Sequence, residues 1–383
     1  MAFSLADKGY HIDALVGIPN YPKGTFFDGY GLFRKRKEIV DGVNIYRCFL
    51  VPRGTKGSLV QLSLNYITFW FSACFWVLFF FVFKKKYDSI IAFQLSPVTQ
   101  VLPAILLKRI RGSKLITWVQ DVWPDSITDS TSGTANKYLL PPLNAITEHV
   151  YNYSDKLLIS SKGMDKLICR NKDYSKKIEY TSNWCADFYD VPKPFVGDLP
   201  KGFVLMMAGN IGDGLGIESL KQLFVQLNDL KDLFLVFVGD GSARNELENY
   251  VRDNKLTQVK FLGRFPYDAM PGIYEKADAM LVTLMETPFK HLDVTVPSRV
   301  QSYMSAGKPI FAMIGSGARD VIEESDCGFV APAGDYMRLA ILIRENFRQQ
   351  SLLKEKGENA RKAYLKQFTL EKGVAHFESL INE

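Results

Sequence analysis

Cysteine is sparse and scattered: five residues in 383 (Cys48, Cys74, Cys169, Cys185, Cys327), with no C-x-x-C and no Cys/His cluster. That pattern excludes a disulfide scaffold and a zinc site, and it fits a reducing compartment. Histidine is rarer still. His11, His149, His291 and His376 stand far apart, as structural or surface residues do. No G-x-x-x-x-G-K-[ST] occurs, which argues against a P-loop kinase. Gly212-x-Gly214 is followed by Ile217 where a dinucleotide fingerprint needs its third glycine, which argues against a nicotinamide dehydrogenase. Residues 1–13 hold no apolar run of signal-peptide length, so no secretory signal is expected.

What is present is an ordinary globular balance, 47% hydrophobic and 23% charged, with length for two domains. Charge is uneven. Residues 1–190 carry 24 Lys/Arg against 16 Asp/Glu, and the remainder 23 against 25. The positive half holds Arg34-Lys35-Arg36-Lys37, Lys84-Lys85-Lys86 and Lys108-Arg109-x-Arg111. Such clusters suit nucleic acid or an anionic membrane surface, and each alone also suits a solvated face.

Residues 66–83 are 18 uncharged residues, rich in Phe and Trp and closed by three lysines. A spanning helix, a buried core helix and a helix lying in the membrane interface all fit that length. The neighbours favour the third. Strand, helix and strand patterns follow at residues 87–93, 101–107 and 114–119, the rhythm of a soluble α/β domain. A span would part the short stretch before it from that domain.

Both halves alternate strand and helix and are expected to be doubly wound around parallel sheets. The division falls at the Pro-containing stretch 191–200, giving domains at 1–190 and 191–363 and an amphipathic terminal helix at 364–383. Residues 1–8 read as the end of a helix. A doubly wound domain would place a strand and loop before it, so the first strand is expected to be missing, through a different start or a truncated product.

The strongest chemical signal is Ala208-Gly209-Asn210-Ile211-Gly212-Asp213-Gly214-Leu215-Gly216, between an apolar strand and an amphipathic helix. Glycines there let backbone N–H groups approach an anion, and the helix start favours negative charge. The alternative is a tight turn without ligand. Gly239-Asp240-Gly241 and Gly263-Arg264-Phe265 close the next two strands, where open α/β sheets bind ligands. Pro297 suits a helix start and Gly307 its end, with Arg299 in the first turn.

These motifs, with Tyr274-x-x-Ala277-Asp278, Pro297-Ser298-Arg299, Ala306-Gly307-Lys308-Pro309 and Cys327-Gly328-Phe329-Val330, resemble the C-terminal domain of retaining glycosyltransferases of family 4. Pro19-Asn20-Tyr21-Pro22 and residues 118–126, with Asp121 among them, resemble the subgroup that builds bacterial surface polysaccharides. Within it the likeness is nearest to N-acetyl-L-fucosamine transferases of O-antigen and capsule assembly.

The resemblance implies a GT-B fold, two Rossmann-like domains facing a cleft. A UDP-sugar would sit on the second domain and a polyprenyl-diphosphate-linked saccharide on the first. The enzyme would work at the cytoplasmic face of the inner membrane, peripheral or monotopic, against anionic lipid and without nucleic acid, cofactor or metal. Gly209, Asn210, Gly212 and Gly216 would cradle the diphosphate, and Arg264 with Phe265 would hold the base. Arg299 would neutralise the leaving group. Gly317 with Asp320 would form the loop that holds donor sugar or phosphate.

Asp121 would act near the anomeric carbon, although it equally suits a helix cap. The family's two glutamates, eight positions apart, fall at Val294 and Ser302, neither acidic. Ser302 then stands at the ribose position, and Leu215 replaces a common Lys or Gln. The absent glutamates and the missing first strand motivate an alternative: an inactive or truncated GT-B protein acting as a nucleotide-sugar-binding subunit. A GT-B sugar epimerase shares the fold.

Overall fold

The computed structural model describes residues 1–54, 58–128, 133–189, 199–287 and 290–383. The chain divides into two compact units. Unit 1 holds Met1–Ser160, Met164–Thr181 and Val374–Glu383; unit 2 holds Ser161–Gly163 and Ser182–Gly373. The expected boundary at 190/191 lies outside the described residues.

Among the described residues unit 1 contains two sheets. In the first, β1 (Ile12–Gly17) pairs parallel with β3 (Val43–Cys48), and β2 (Lys37–Val40) pairs antiparallel with β3. Sequence periodicity did not predict β2. It is folded back by a two-residue turn at Asp41-Gly42, where both residues have positive φ, as a tight hairpin demands. In the second sheet, β4 (Ser89–Gln94), β5 (Lys114–Val119), β6 (Lys156–Ile159) and β7 (Ile178–Tyr180) run parallel in that order. Strand β7, three residues long, was also unpredicted.

The aromatic segment forms helix Leu59–Phe79, then a short 3₁₀ turn Phe81–Phe83. It begins seven residues before the expected start, because residues 59–65 continue the helical pattern. Its inner face is bonded to the backbone that follows β3. Asn65 Nδ2 donates to the Val51 carbonyl at 2.6 Å, and Thr68 Oγ1 and Ser72 Oγ each accept an N–H, from Val51 and Phe49, at 2.9 Å. Ala73 and Val77 are buried on that side, while Val60, Leu64, Ile67, Phe71, Phe75, Leu78 and Phe79 are exposed. This is not a buried core helix.

At the foot of the helix, Lys84 Nζ donates to Asp13 at 2.6 Å, Asn44 Nδ2 donates to the same carboxylate at 2.9 Å, and Tyr87 OH completes the set. Burial alone would raise the Asp13 pKa. The hydrogen bonds and the ammonium outweigh it and hold the carboxyl below the usual range.

Unit 2 is one six-stranded parallel sheet in the order β10 (Val259–Gly263), β9 (Leu233–Val238), β8 (Phe203–Ala208), β11 (Ala279–Thr283), β12 (Ile310–Ile314), β13 (Gly328–Pro332). Strand β13 was not expected; it lies between two of the helices that follow residue 313, Ser316–Glu324 and Tyr336–Asn346. Helices cover both faces, over two apolar cores that include Leu205, Phe224 and Phe237 on one side and Met206, Tyr303 and Ala312 on the other. Strand order reverses between β8 and β11, which opens a crevice beyond their carboxyl ends, where such sheets bind ligands. The expected single terminal helix is two, Gln350–Gln367 and Leu370–Asn382, parted at Phe368.

Candidate active site

The crevice at the β8/β11 switch is built by backbone. Leaving β8, the Gly209 N–H donates to the Val238 carbonyl at 2.8 Å, and the Ile211 N–H to the Asp240 carbonyl at 2.9 Å. The loops after β8 and β9 therefore pack main chain on main chain. Gly239 is required there: its φ is +139°, and a Cβ would lie 1.9 Å from the Gly209 carbonyl oxygen. The loop then makes a 3₁₀ turn, Asp213–Leu215, and reaches Gly216, whose φ of +74° starts helix Ile217–Leu227 with no side-chain cap. Thr283 Oγ1 donates to the Leu215 carbonyl at 2.8 Å, and the Met285 N–H to the Gly214 carbonyl at 2.9 Å. Both ends of the loop are thus lashed to the sheet, and the uncapped helix start is a ready anion site.

Arg299 stands over this loop. It lies in the first turn of helix Ser298–Ser305, as its position after Pro297 predicts. Its Nη2 donates to the Asn210 carbonyl at 3.0 Å. Its Nη1 is buried with no hydrogen-bond partner among the described residues. A buried guanidinium nitrogen without an acceptor is costly, and an anionic oxygen is its natural partner. One turn on, Tyr303 fixes the end of β8. Its hydroxyl accepts from the Ala208 N–H at 2.8 Å and donates to the Ala208 carbonyl at 2.9 Å. Burial raises the Tyr303 pKa, and the nearby Arg299 charge opposes that only in part.

Gly209, Asn210, Gly212, Gly216 and Arg299 are therefore brought together. Arg264 and Phe265 follow β10, two strands from β8; Arg264 is exposed, and Phe265 packs on the core. Ser302 spends its hydroxyl on the Ser298 carbonyl of its own helix, at 3.2 Å. Gly317 and Asp320 need correction: they lie within helix Ser316–Glu324, not in a loop. Gly317 is buried against the Val294 main chain, where a Cβ would meet the Val294 carbonyl oxygen at 2.0 Å. The start of that helix is held instead by Asp293, whose carboxylate accepts from Ser316 N–H at 3.2 Å and Ser316 Oγ at 2.5 Å.

Asp121 is in unit 1, just beyond β5. Ser96 Oγ donates to its carboxylate at 2.9 Å, Trp123 Nε1 donates to Ser96 Oγ at 3.0 Å, and Gln94 Nε2 donates to the Asp121 carbonyl at 2.8 Å. Among the described residues its carboxylate is held by this relay and caps no helix. Sequence reading missed Ser96, Thr283 and Tyr303, and noted Asp293 only as the acidic neighbour of Val294. Tyr303 alone had a signal, its i, i+4 spacing from Arg299. Among the described residues no three His, Cys, Asp or Glu side chains converge as metal ligands.

Residues 194–363 match the family described as glycosyl transferases group 1. WbjE of Pseudomonas aeruginosa, named as a glycosyltransferase, is 26% identical over 314 residues, covering 78% of this chain and 75% of its own. WcaI of Escherichia coli K12, named as a colanic acid biosynthesis glycosyl transferase, is 24% identical over 317 residues, 79% of this chain and 75% of its own. Among solved structures, sucrose-phosphate synthase from Thermosynechococcus elongatus superposes with a TM-score of 0.73 at 15% identity, over 100% of this chain and 90% of that one. HepE of Anabaena, in complex with UDP, gives 0.64 at 15% identity, over 88% and 86%. The fold is GT-B, and the chain is a glycosyltransferase whose residues 194–363 match the glycosyl transferases group 1 family.

Proposed function

We propose that the enzyme moves a sugar, with retention of anomeric configuration, from a UDP-sugar to a lipid-linked saccharide during bacterial surface polysaccharide synthesis. The carrying observation is the buried Nη1 of Arg299, without a partner among the described residues, above the glycine-bared loop at the β8/β11 switch. As the bond between the anomeric carbon and the diphosphate oxygen breaks, charge grows on the diphosphate, and Arg299 with the loop amides meets it. The acceptor hydroxyl then bonds to the same face of the sugar, and its proton passes to the departing phosphate oxygen. Asp121, held by Ser96, is assigned to the positive charge at the anomeric carbon. The uridine nucleotide is the one bound by HepE. The polysaccharide context follows the name of WcaI. N-acetyl-L-fucosamine is the donor sugar proposed from the motif resemblance.

The same reading puts the enzyme on the cytoplasmic face of the membrane. Seven large apolar side chains form one outward stripe on helix Leu59–Phe79, and Lys85 and Lys86 are exposed beyond its end. With the inner face bonded to the domain, such a helix suits lying in the interface rather than crossing it. The test is transfer from a panel of radiolabelled UDP-sugars to extracted membrane lipid, with the anomeric configuration of the product read by NMR. Transfer with retention supports the proposal. No transfer from any UDP-sugar, or an inverted product, overturns it.

A further inference from the structure

Arg53 lies in the stretch between β3 and the aromatic helix, and its main chain is held from both sides. Its N–H donates to Asn20 Oδ1 at 3.2 Å, while Asn20 Nδ2 donates to the Ile18 carbonyl at 3.0 Å. A buried asparagine thus clasps this stretch to the segment after β1. The Gly54 N–H donates to the Gly24 carbonyl at 2.8 Å, and Val51 bonds to Asn65 and Thr68 of the helix. The Arg53 side chain is held differently. Its guanidinium lies over the rings of Tyr21 and Tyr66, 5.4 and 5.6 Å from their centres. Ring faces attract a cation without engaging its N–H groups. Among the described residues the guanidinium has no ion pair and no hydrogen bond, so all five donors are free. Arg34, Arg264 and Arg338 share that state but are exposed, whereas Arg53 is half-buried.

A fixed, half-buried guanidinium with no acceptor suits an anion, and its fork matches two phosphate oxygens at once. Two neighbours say which phosphate. Tyr66 belongs to helix Leu59–Phe79, whose exposed Leu64, Ile67 and Phe71 offer apolar surface for a lipid tail. Tyr66 also stands in the field of Asp121. Burial raises its pKa, the Arg53 charge opposes that, and the Asp121 charge adds to it. We propose that Arg53, beside Tyr21 and Tyr66, grips the diphosphate of the lipid-linked acceptor, with the tail along the aromatic helix and the saccharide toward Asp121. This inference rests on the lipid-linked acceptor proposed above and assigns the residue of unit 1 that reads its charge.

The test is calorimetric titration of the full chain in neutral detergent, with UDP present at saturation so that the donor crevice is filled. The probes are farnesyl diphosphate and farnesol, and vesicles of phosphatidylcholine with and without phosphatidylglycerol. Farnesyl diphosphate should bind more tightly than farnesol. Arg53→Gln, which keeps most of the stem, should weaken farnesyl diphosphate about tenfold or more and leave farnesol and UDP unchanged. Arg53→Ala should do the same, and Arg53→Lys should recover part of the loss. Lys166→Ala, which removes an exposed cation elsewhere in unit 1, should change none of these.

Four results overturn the proposal. One is farnesyl diphosphate that binds Arg53→Gln as well as wild type, or wild type no better than farnesol. Another is an equal loss for farnesol and UDP, which would limit Arg53 to holding the fold. A third is farnesyl diphosphate binding that UDP abolishes, which would put the probe in unit 2. The last is Arg53→Gln weakening only the phosphatidylglycerol vesicles, which would make bulk headgroups the ligand. Sugar transfer to membrane lipid with the wild-type acceptor KM in Arg53→Gln removes this site and leaves the proposed function standing. Absence of transfer in wild type, with Arg53-dependent diphosphate binding intact, removes that function and leaves the site.

Discussion

The two units carry the same strand–helix rhythm, yet among the described residues the strands of unit 2 form one continuous sheet and those of unit 1 form two. In unit 2 the central strands β8 and β11 each have partners on both sides and are almost wholly buried. In unit 1 the largely apolar β1 and β4 stand at the edges of their sheets among the described residues and are mostly half-exposed. Apolar composition sets which segments become strands, while burial depends on whether a neighbour is there to pair. The consequence for chemistry is direct. A continuous sheet can press the loops of adjacent strands together main chain against main chain, as at Gly209 and Gly239. Unit 1 is instead pinned near the starts of β1 and β4 by a charged cluster around Asp13.

The comparison breaks first at Gly239. Gly239→Val drives a side chain into the Gly209 carbonyl, at a φ that L residues rarely adopt. We expect a loss of about 3 kcal/mol or more in the stability of unit 2 and no measurable UDP binding. Chemical denaturation and calorimetric titration read these; unchanged UDP affinity would show that the loop is not the anion site. Next in size is Arg299→Ala. Removing a preorganised charge from a developing anion costs about 10²- to 10³-fold in kcat. Arg299→Lys should recover only part of that, because a point charge replaces a fork. A wild-type kcat in Arg299→Ala would remove the guanidinium from the mechanism.

How much of this was legible beforehand follows the same divide. The alternation of unit 2, its glycine loop and the place of Arg299 are local patterns, so sequence carries them. Hairpin strand β2 and short β7 lack a clear period of two, and β13 is hidden because its segment reads as the family motif beginning Cys327-Gly328. Gly317 was read as a loop residue because glycine suggests a turn. In fact the absence of a side chain there admits the Val294 main chain, a contact between residues distant along the chain. The Ser96–Asp121 relay and the Asp293–Ser316 bonds are likewise products of topology.

Tyr303 sharpens the comparison at smaller scale. Its hydroxyl holds both main-chain groups of Ala208, the last residue of β8 before the glycine loop. Tyr303→Phe keeps the ring and strands two buried polar groups, at about 1–3 kcal/mol. The melting temperature of unit 2 should fall, and UDP affinity should fall with it if β8 aims the loop. A lowered melting temperature with unchanged affinity would limit Tyr303 to stability.

The smallest expected effect is in unit 1. The Asp13 carboxyl is held below the usual aspartate range in the folded chain, despite burial, by Lys84, Tyr87 and Asn44. A depressed folded-state pKa contributes stability in full above the unfolded value of about 3.9, and the contribution is lost as pH falls through the folded value. Unit 1 should therefore lose stability more steeply than Asp13→Asn does as pH drops below about 4. Hydrogen exchange in β3 and β5 across that range reads the difference. Equal slopes for the two proteins would mean that Lys84 and Tyr87 do not favour the ionised carboxylate, and that packing of the aromatic helix alone holds the starts of β1 and β4 together.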